Sequence, residues 1–166
     1  MANTKKSDQV PNTLFVLEVF IRNGPVTEAF AAKNPEISRQ IEIQASNTLA
    51  DLHKILFKAF DREEEHMYEF QVGGDRPNDP NAKRYGLKSA FSDSMFGDEP
   101  DGDVTTTTLA SLGLSVGESF GYWFDFGDDW WHQINVLSVV ENPPKGKYPR
   151  ITKRVGASPP QYADFD

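Results

Sequence analysis

The feature that most constrains the fold is the stretch from Phe120 to Val140, FGYWFDFGDDWWHQINVLSVV, where two apolar runs flank a polar turn. Aromatic side chains alternate along the first run, and Gly127, Asp128 and Asp129 are residue types that turns favour. Two such runs joined by a short polar segment predict a β-hairpin. The chain is therefore expected to contain a sheet with a strongly aromatic face.

The sequence also predicts which face of the hairpin each side chain takes. A loop formed by Gly127, Asp128 and Asp129 would pair Phe126 with Trp130, and Gly127 would adopt a positive φ. The face expected to join the core then carries Phe120, Tyr122, Phe124, Phe126, Trp130, His132, Ile134 and Val136. The other face carries Trp123, Asp125 and Trp131, so Asp125 and His132 would not meet unless the register shifted by one residue.

Other segments predict strands and one main helix. Leu14 to Ile21 is a strand-like run, and Ile37 to Ala45 and Met67 to Val72 alternate between apolar and polar residues. Thr48 and Asp51 predict a capping box, which begins a stripe at helical spacing made of Leu49, Leu52, Ile55, Leu56, Ala59 and Phe60. We expect an α+β fold with a mixed or antiparallel sheet, the helix packed on one face, and a β-grasp-like arrangement.

A chain of 166 residues suits a single domain. We expect residues 1–13 to form a disordered tail and residues 14–140 to form the α+β domain. The proline-rich residues 141–166 would be a C-terminal extension packed on that domain. Residues 73–104 carry prolines and many acidic side chains, and they predict a long loop.

Composition excludes several kinds of chemistry. The net charge of −8 disfavours direct binding to nucleic acid, which needs a basic face. The absence of cysteine rules out disulfides, thiolate catalysis and zinc–sulfur sites. The amino-terminal segment does not resemble a signal peptide, and no long apolar run predicts a membrane span, so we expect a cytoplasmic protein.

The hairpin also carries the candidate binding residues and part of a candidate metal site. The candidates for binding are Trp123, Asp125, Asp128, Asp129, Trp131 and His132. The candidate ligands for a divalent metal are His53, His66, His132 and Asp128. No spacing such as His-x-x-x-His supports the hypothesis of a metal site. The favoured alternative is that these histidines are partly buried and bond to the backbone or to carboxylates. No residue is assigned a catalytic role.

Three segments carry a resemblance to a known family: TLADLHKILFKAF, HMYEFQVGG and FGYWFDFGDDWWHQINV. They resemble the Ri-plasmid ORF-3-like family, whose members are also described as TnpR-like passenger proteins of insertion elements. The resemblance spans about residues 14 to 160. It implies an α+β fold and an origin in bacteria or archaea, and it implies no established activity.

Three functions remain open. The first is a non-enzymatic interaction module that binds a protein or a basic ligand on the second face and acidic tip of the hairpin. The second is a metal-dependent hydrolase that uses His132, Asp128 and a second histidine. The third, an accessory protein of DNA transposition or recombination, is suggested by the resemblance alone and is opposed by the charge. The sequence leaves the ligand and the oligomeric state open.

Overall fold

The computed structural model describes residues 12–88 and 99–165. Most of the predicted tail, residues 1–13, and the middle of the predicted loop 73–104 lie outside the described ranges. The elements in chain order are β1 (Thr13–Asn23), α1 (Glu28–Lys33), β2 (Ser38–Gln44), α2 (Leu49–Ala59), β3 (Tyr68–Val72), β4 (Lys83–Gly86), β5 (Gly102–Asp103), a 3-10 helix (Ala110–Leu112), β6 (Ser119–Phe124), β7 (Trp130–Glu141) and β8 (Arg150–Val155).

The eight strands of the described residues form one sheet in the order β5-β4-β3-β6-β7-β1-β2-β8. Among the described strands, β4 and β5 run parallel and the other neighbours run antiparallel, so the sheet is mixed. A first hairpin is followed by α2 and then by further strands, as expected, and β7 lies antiparallel beside β1. The predicted α+β class, with one main helix, is confirmed.

Helix α2 covers one face of the sheet, called the inner face here, and the opposite face is the outer face. The predicted capping box is present, because Thr48 Oγ1 accepts from Asp51 N at 3.1 Å and Asp51 Oδ2 accepts from Thr48 N at 2.9 Å. The apolar stripe of the helix joins the inner-face side chains of β1, β2, β3, β6 and β7 in one hydrophobic core. Burial of this stripe is what holds an eleven-residue helix in place.

Arg39 is a buried cation on the inner face of β2, with 2 % of its surface exposed. Its guanidinium donates to the carbonyl oxygen of Ala59 at 2.7 Å, to that of Val155 at 3.0 Å and to Ser158 Oγ at 2.9 Å. The first of these bonds satisfies a carbonyl at the end of α2, where helical partners run out. Arg39 therefore ties the sheet, the main helix and the C-terminal segment together.

Strand β8 was not predicted from the sequence. It pairs with β2, with Arg154 opposite Arg39 and Ile151 opposite Ile41, and it forms one end of the described sheet. Only Ile151 and Val155 are apolar in this strand, so its sequence lacks the alternation that marks a half-buried strand.

The predicted register of the aromatic hairpin is wrong by two residues. Phe124 lies opposite Trp130 and Tyr122 opposite His132, so the loop contains five residues, 125–129. Asp125 and Asp129, not Gly127, have the positive φ values, 64° and 55°. The cause is the carbonyl oxygen of Asp125, which accepts from Asp128 N at 3.1 Å and from Asp129 N at 2.7 Å and closes the loop. Aspartate tolerates this left-handed region better than most residues.

A shift of two residues preserves the predicted faces of the strands. Tyr122, Phe124, Trp130 and His132 are buried on the inner face, as expected. Phe126 and Asp125 differ from the prediction because both lie in the loop. Phe126 packs on the outer face against Trp123 instead of entering the core.

Candidate functional site

Two tryptophans stack on the outer face of the hairpin. Trp123 lies directly opposite Trp131, and their ring centroids are 4.9 Å apart with an interplanar angle of 8°. Phe126 lies 4.2 Å from Trp123, and Asp129 Oδ1 accepts from Trp123 Nε1 at 2.8 Å. These three rings, called the aromatic stack here, are partly exposed. They therefore form an oriented apolar surface next to charged groups.

A groove of about 580 Å³ runs along the outer face beside Trp131. Polar side chains line it, among them Arg22, Gln71 and Gln133, and Gly121 forms part of the lining without a side chain. Arg22 donates from Nε and Nη2 to Gln133 Oε1 at 3.2 and 3.1 Å, so part of the lining is fixed. The amides of Gln71 and Gln133 are already bonded within the chain. The guanidinium groups of Arg22 and Arg76 carry further N–H donors, which suit the carbonyl groups of a peptide chain.

Acidic groups gather at the tip of the hairpin. Asp129 is exposed, Asp128 is half-buried, and Asp125 is 7 % exposed. Tyr162 lies close to this tip, and the pKa of its phenol is raised to about 12, first by its hydrogen bond to Glu64 and then by burial and by the charges of Glu64, Asp125 and Asp128. We call Glu64 and these three aspartates the acidic tip, whose negative charge would attract a cation.

His66 lies beside the acidic tip. Its Nε2 is 2.7 Å from Tyr162 Oη and 3.5 Å from Asp125 Oδ2, and about a third of its side chain is exposed. Tyr162 in turn donates to Glu64 Oε1 at 2.6 Å. These contacts tie the C-terminal segment to the hairpin and give Asp125 a polar neighbour.

His53 lies on α2 and is buried in the core. Its Nδ1 is 2.6 Å from Tyr122 Oη, its Nε2 is 2.8 Å from Glu65 Oε1, and its ring stacks on Tyr68 at 3.7 Å. Burial lowers the pKa of His53, although Glu65 opposes this shift. Burial also raises the pKa of the Tyr122 phenol well above its usual value. The hydrogen bonds thus run from Glu65 through His53 to the phenol of Tyr122. Tyr122 is only 2 % exposed, so a substrate cannot reach its phenol.

His132 faces the core from β7, on the side of the sheet opposite the aromatic stack. Its Nδ1 lies 3.1 Å from the carbonyl oxygen of Tyr122. Because a carbonyl only accepts, we assign the ring proton of the neutral form to Nδ1. Burial, together with the nearby charge of Arg62, lowers the pKa of His132 to about 3. His132 is therefore neutral at physiological pH.

The candidate metal ligands do not come together. His53 and His132 lie in the core with Tyr122 between them, whereas His66 lies beside Asp125. Across residues 12–88 and 99–165, no group of three or more histidine, aspartate and glutamate side chains is arranged to hold a metal ion. The candidate binding residues divide in the same way, because Trp123, Trp131 and Asp129 share the outer face while His132 does not.

Sequence reasoning missed Arg62, which follows α2. This residue is 8 % exposed, and its guanidinium carbon lies 3.9 Å from the centre of the Trp130 ring. Burial lowers its pKa to about 10, against the opposing influence of Tyr122 and Asp125. Within the part of the chain that the structure describes, neither Nη atom has a hydrogen-bond partner. An arginine in the charged run DREEEH gives no sequence signal of burial.

The fold and this geometry define an α+β protein with an aromatic and acidic surface on the outer face and loop of its β6–β7 hairpin. The chain belongs to the plasmid pRiA4b ORF-3-like protein family, whose profile matches residues 29–164. This confirms the resemblance found in the sequence.

Two similar proteins are an uncharacterized bacterial protein and an archaeal protein of unknown function. The uncharacterized protein y4hQ of Sinorhizobium fredii (strain NBRC 101917 / NGR234) is 28 % identical over 128 residues, which cover 76 % of this chain and 59 % of y4hQ. The crystal structure of MM3350, a protein of unknown function from Methanosarcina mazei Go1, matches with a TM-score of 0.63 at 22 % identity, covering 86 % of this chain and 69 % of that one. The second likeness supports the fold alone.

No helix in residues 12–88 or 99–165 is long and apolar enough to cross a membrane.

Proposed function

We propose that this protein is a non-enzymatic binding module that takes a lysine- or arginine-bearing segment of a partner protein on the aromatic stack and the acidic tip. The observation that carries the proposal is the stacking of Trp123 on Trp131 outside the core, with Asp129 bonded to the stack. In this proposal the protein acts in the cytoplasm.

The chemistry of this surface suits a cationic side chain. A tryptophan face attracts an ammonium or guanidinium group with about 0.5–2 kcal/mol, depending on how much water is removed. Asp128 and Asp129 place carboxylates at the same end of the hairpin. Aromatic rings and charged groups together are also typical of the residues that dominate binding energy at protein interfaces.

The groove beside Trp131 supports a peptide as the occupant. It continues from Trp131 along the outer face, and the guanidinium groups of Arg22 and Arg76 can donate to backbone carbonyls. The rigid strands β6 and β7 hold both tryptophans before binding, which reduces the entropy lost on association.

The other two functions have less support. A hydrolase that uses His132 with Asp128 would need a side chain of the hairpin loop to meet a core histidine that is 3 % exposed. A DNA accessory role would place a phosphate backbone against the acidic tip, which would repel it.

Selection from a phage-displayed library of random peptides tests the proposal. We expect peptides enriched in lysine and arginine on the wild-type protein. The change Asp128→Asn with Asp129→Asn keeps the shape of both side chains and should weaken binding roughly fivefold to tenfold, since each exposed ion pair contributes up to about 1 kcal/mol. Trp131→Ala should weaken it further.

The matched control is Glu28→Gln with Glu141→Gln, which removes two exposed carboxylates elsewhere. It should leave the affinity unchanged. If cationic peptides were not enriched, or if both double variants lost affinity equally, the proposed site would be wrong.

A further inference from the structure

The charge of this acidic chain is unevenly distributed. Between Glu141 and Asp164 the sequence contains no acidic residue. The cations of this segment are Lys145, Lys147, Arg150, Lys153 and Arg154. The C-terminal segment is therefore basic in a protein whose net charge is −8.

Part of this basic segment lines a second groove, between α2 and β8. The groove has a volume of about 560 Å³ and is lined by Ile55, Lys58 and residues 149–154. We call it the basic groove. Ile55 and Ile151 give it an apolar part, and both are partly buried against the core.

Ile151 lies opposite Ile41 and Arg154 opposite Arg39, so both lie on the inner face, with α2. Arg150 and Lys153 lie opposite Glu42 and Gln40, on the outer face. Cations therefore flank the edge of β8 on both faces of the sheet.

The cations of the basic groove differ in their partners. Arg150 pairs with Glu42 at 2.6 Å, and Arg154 pairs with Asp61 at 3.4 Å. Lys58 and Lys153 are exposed, and no ion pair to either is found in the described ranges. Two positive charges are therefore available to an anionic ligand without breaking an existing pair.

Strand β8 also offers backbone groups. It lies at the end of the described sheet and pairs with β2 on one side only. The open side of an edge strand presents N–H and C=O groups that an extended chain can bond. Lysine and arginine on such an edge repel a second identical edge, but they attract a segment of opposite charge.

We propose that the basic groove binds an acidic, extended segment of a partner protein. Lys58 on the α2 side and Lys153 on the outer face pair with carboxylates that alternate along the segment. Ile55 and Ile151 contact its apolar side chains, and the open edge of β8 bonds its backbone. This site is separate from the acidic tip, takes ligands of the opposite charge and does not depend on the function proposed above.

A peptide fits the groove better than a nucleic acid strand does. Single-stranded nucleic acids bind through bases stacked on aromatic rings, and no aromatic side chain lines the described groove. The nearby Tyr148 ring lies under the guanidinium of Arg150, at 4.8 Å.

The test uses the intact protein and a phage-displayed library of random peptides. We expect enrichment of peptides rich in aspartate and glutamate that also carry aliphatic residues. The change Lys58→Gln with Lys153→Gln should weaken the best labelled peptide about tenfold in fluorescence anisotropy, since two ion pairs are lost. Added salt should weaken wild-type binding as well.

The chain offers a closely matched control in Lys33→Gln with Lys83→Gln. Lys33 and Lys58 each lie in the last turn of a helix, and Lys83 and Lys153 each lie on a strand. The control should keep wild-type affinity. Three results would overturn the proposal: no enrichment of acidic peptides, equal loss in both variants, or displacement of the peptide by oligothymidylate at lower concentration than by unlabelled peptide.

The two binding proposals can fail separately. If the acidic tip does not bind a partner, the selection will not enrich cationic peptides. If the basic groove does not bind a partner, it will not enrich acidic peptides.

Discussion

Replacing His132 with asparagine should reduce the dependence of stability on pH. The pKa of His132 is about 3 in the folded protein and about 6.5 in the unfolded chain. Below about pH 6.5 the unfolded chain binds a proton that the folded protein does not, so stability falls as the pH falls. The slope approaches about 1.4 kcal/mol per pH unit until the folded pKa is reached.

The size of the effect can be measured. Between about pH 7 and about pH 5, His132 should remove about 2 kcal/mol of the free energy of unfolding. This is a large part of the 5–15 kcal/mol typical of a domain. His53, whose pKa burial also lowers, adds a loss of the same sign, so the relevant quantity is the difference between the wild type and His132→Asn.

Urea denaturation followed by tryptophan fluorescence at several pH values provides the assay. The asparagine amide can keep the bond that His132 Nδ1 donates to Tyr122, although the variant loses stability at every pH. Ile134→Val is the control, because it weakens the same inner face of β7 without removing a titrating group. If His132→Asn kept the full wild-type slope between about pH 7 and about pH 5, the assignment of His132 as a buried neutral histidine would be wrong.

Three further substitutions test local features by the same denaturation assay. Gly24→Ala should cost about 1–3 kcal/mol, because its new methyl group would overlap the buried ring of Trp130; a neutral result would contradict this packing. Gly127→Ala should change stability by less than about 0.5 kcal/mol, since its nearest neighbour would be Asp125 Oδ1 at 3.6 Å, and a large loss would mean that the position needs glycine. Thr48→Ala should cost about 1 kcal/mol through loss of the capping box; no loss would show that the cap contributes nothing.

The main elements could be predicted because their signals are local. The spacing of apolar residues placed α2 and the alternating strands, and Thr48 with Asp51 marked where the helix begins. The faces of the aromatic hairpin were also correct along β6 and β7, because a register error of two residues preserves the alternation. The register itself depended on the bonds that Asp125 makes within the loop, and these could not be read from residue types.

The parts that were missed depend on tertiary contacts. Strand β8 lacks an apolar pattern, and it is held by its pairing with β2 and by the bond that Arg39 donates to the carbonyl oxygen of Val155. Arg62 lies in a charged run, yet the ring of Trp130 covers its guanidinium. The predicted faces of the hairpin put Trp123 and Trp131 outside the core. Their stacking was not predicted, because it depends on the register of β6 against β7.

The central claim is that Trp123 and Trp131 form a binding surface whereas Trp130 belongs to the core. The most direct measurement is a titration of the ¹⁵N-labelled protein with a selected cationic peptide, followed through the three indole N–H signals. We expect the signals of Trp123 and Trp131 to shift as peptide is added, with a dissociation constant equal to that measured separately for the peptide. The signal of the buried Trp130 should stay in place. A peptide that bound without shifting the first two signals, or that shifted all three equally, would contradict the account.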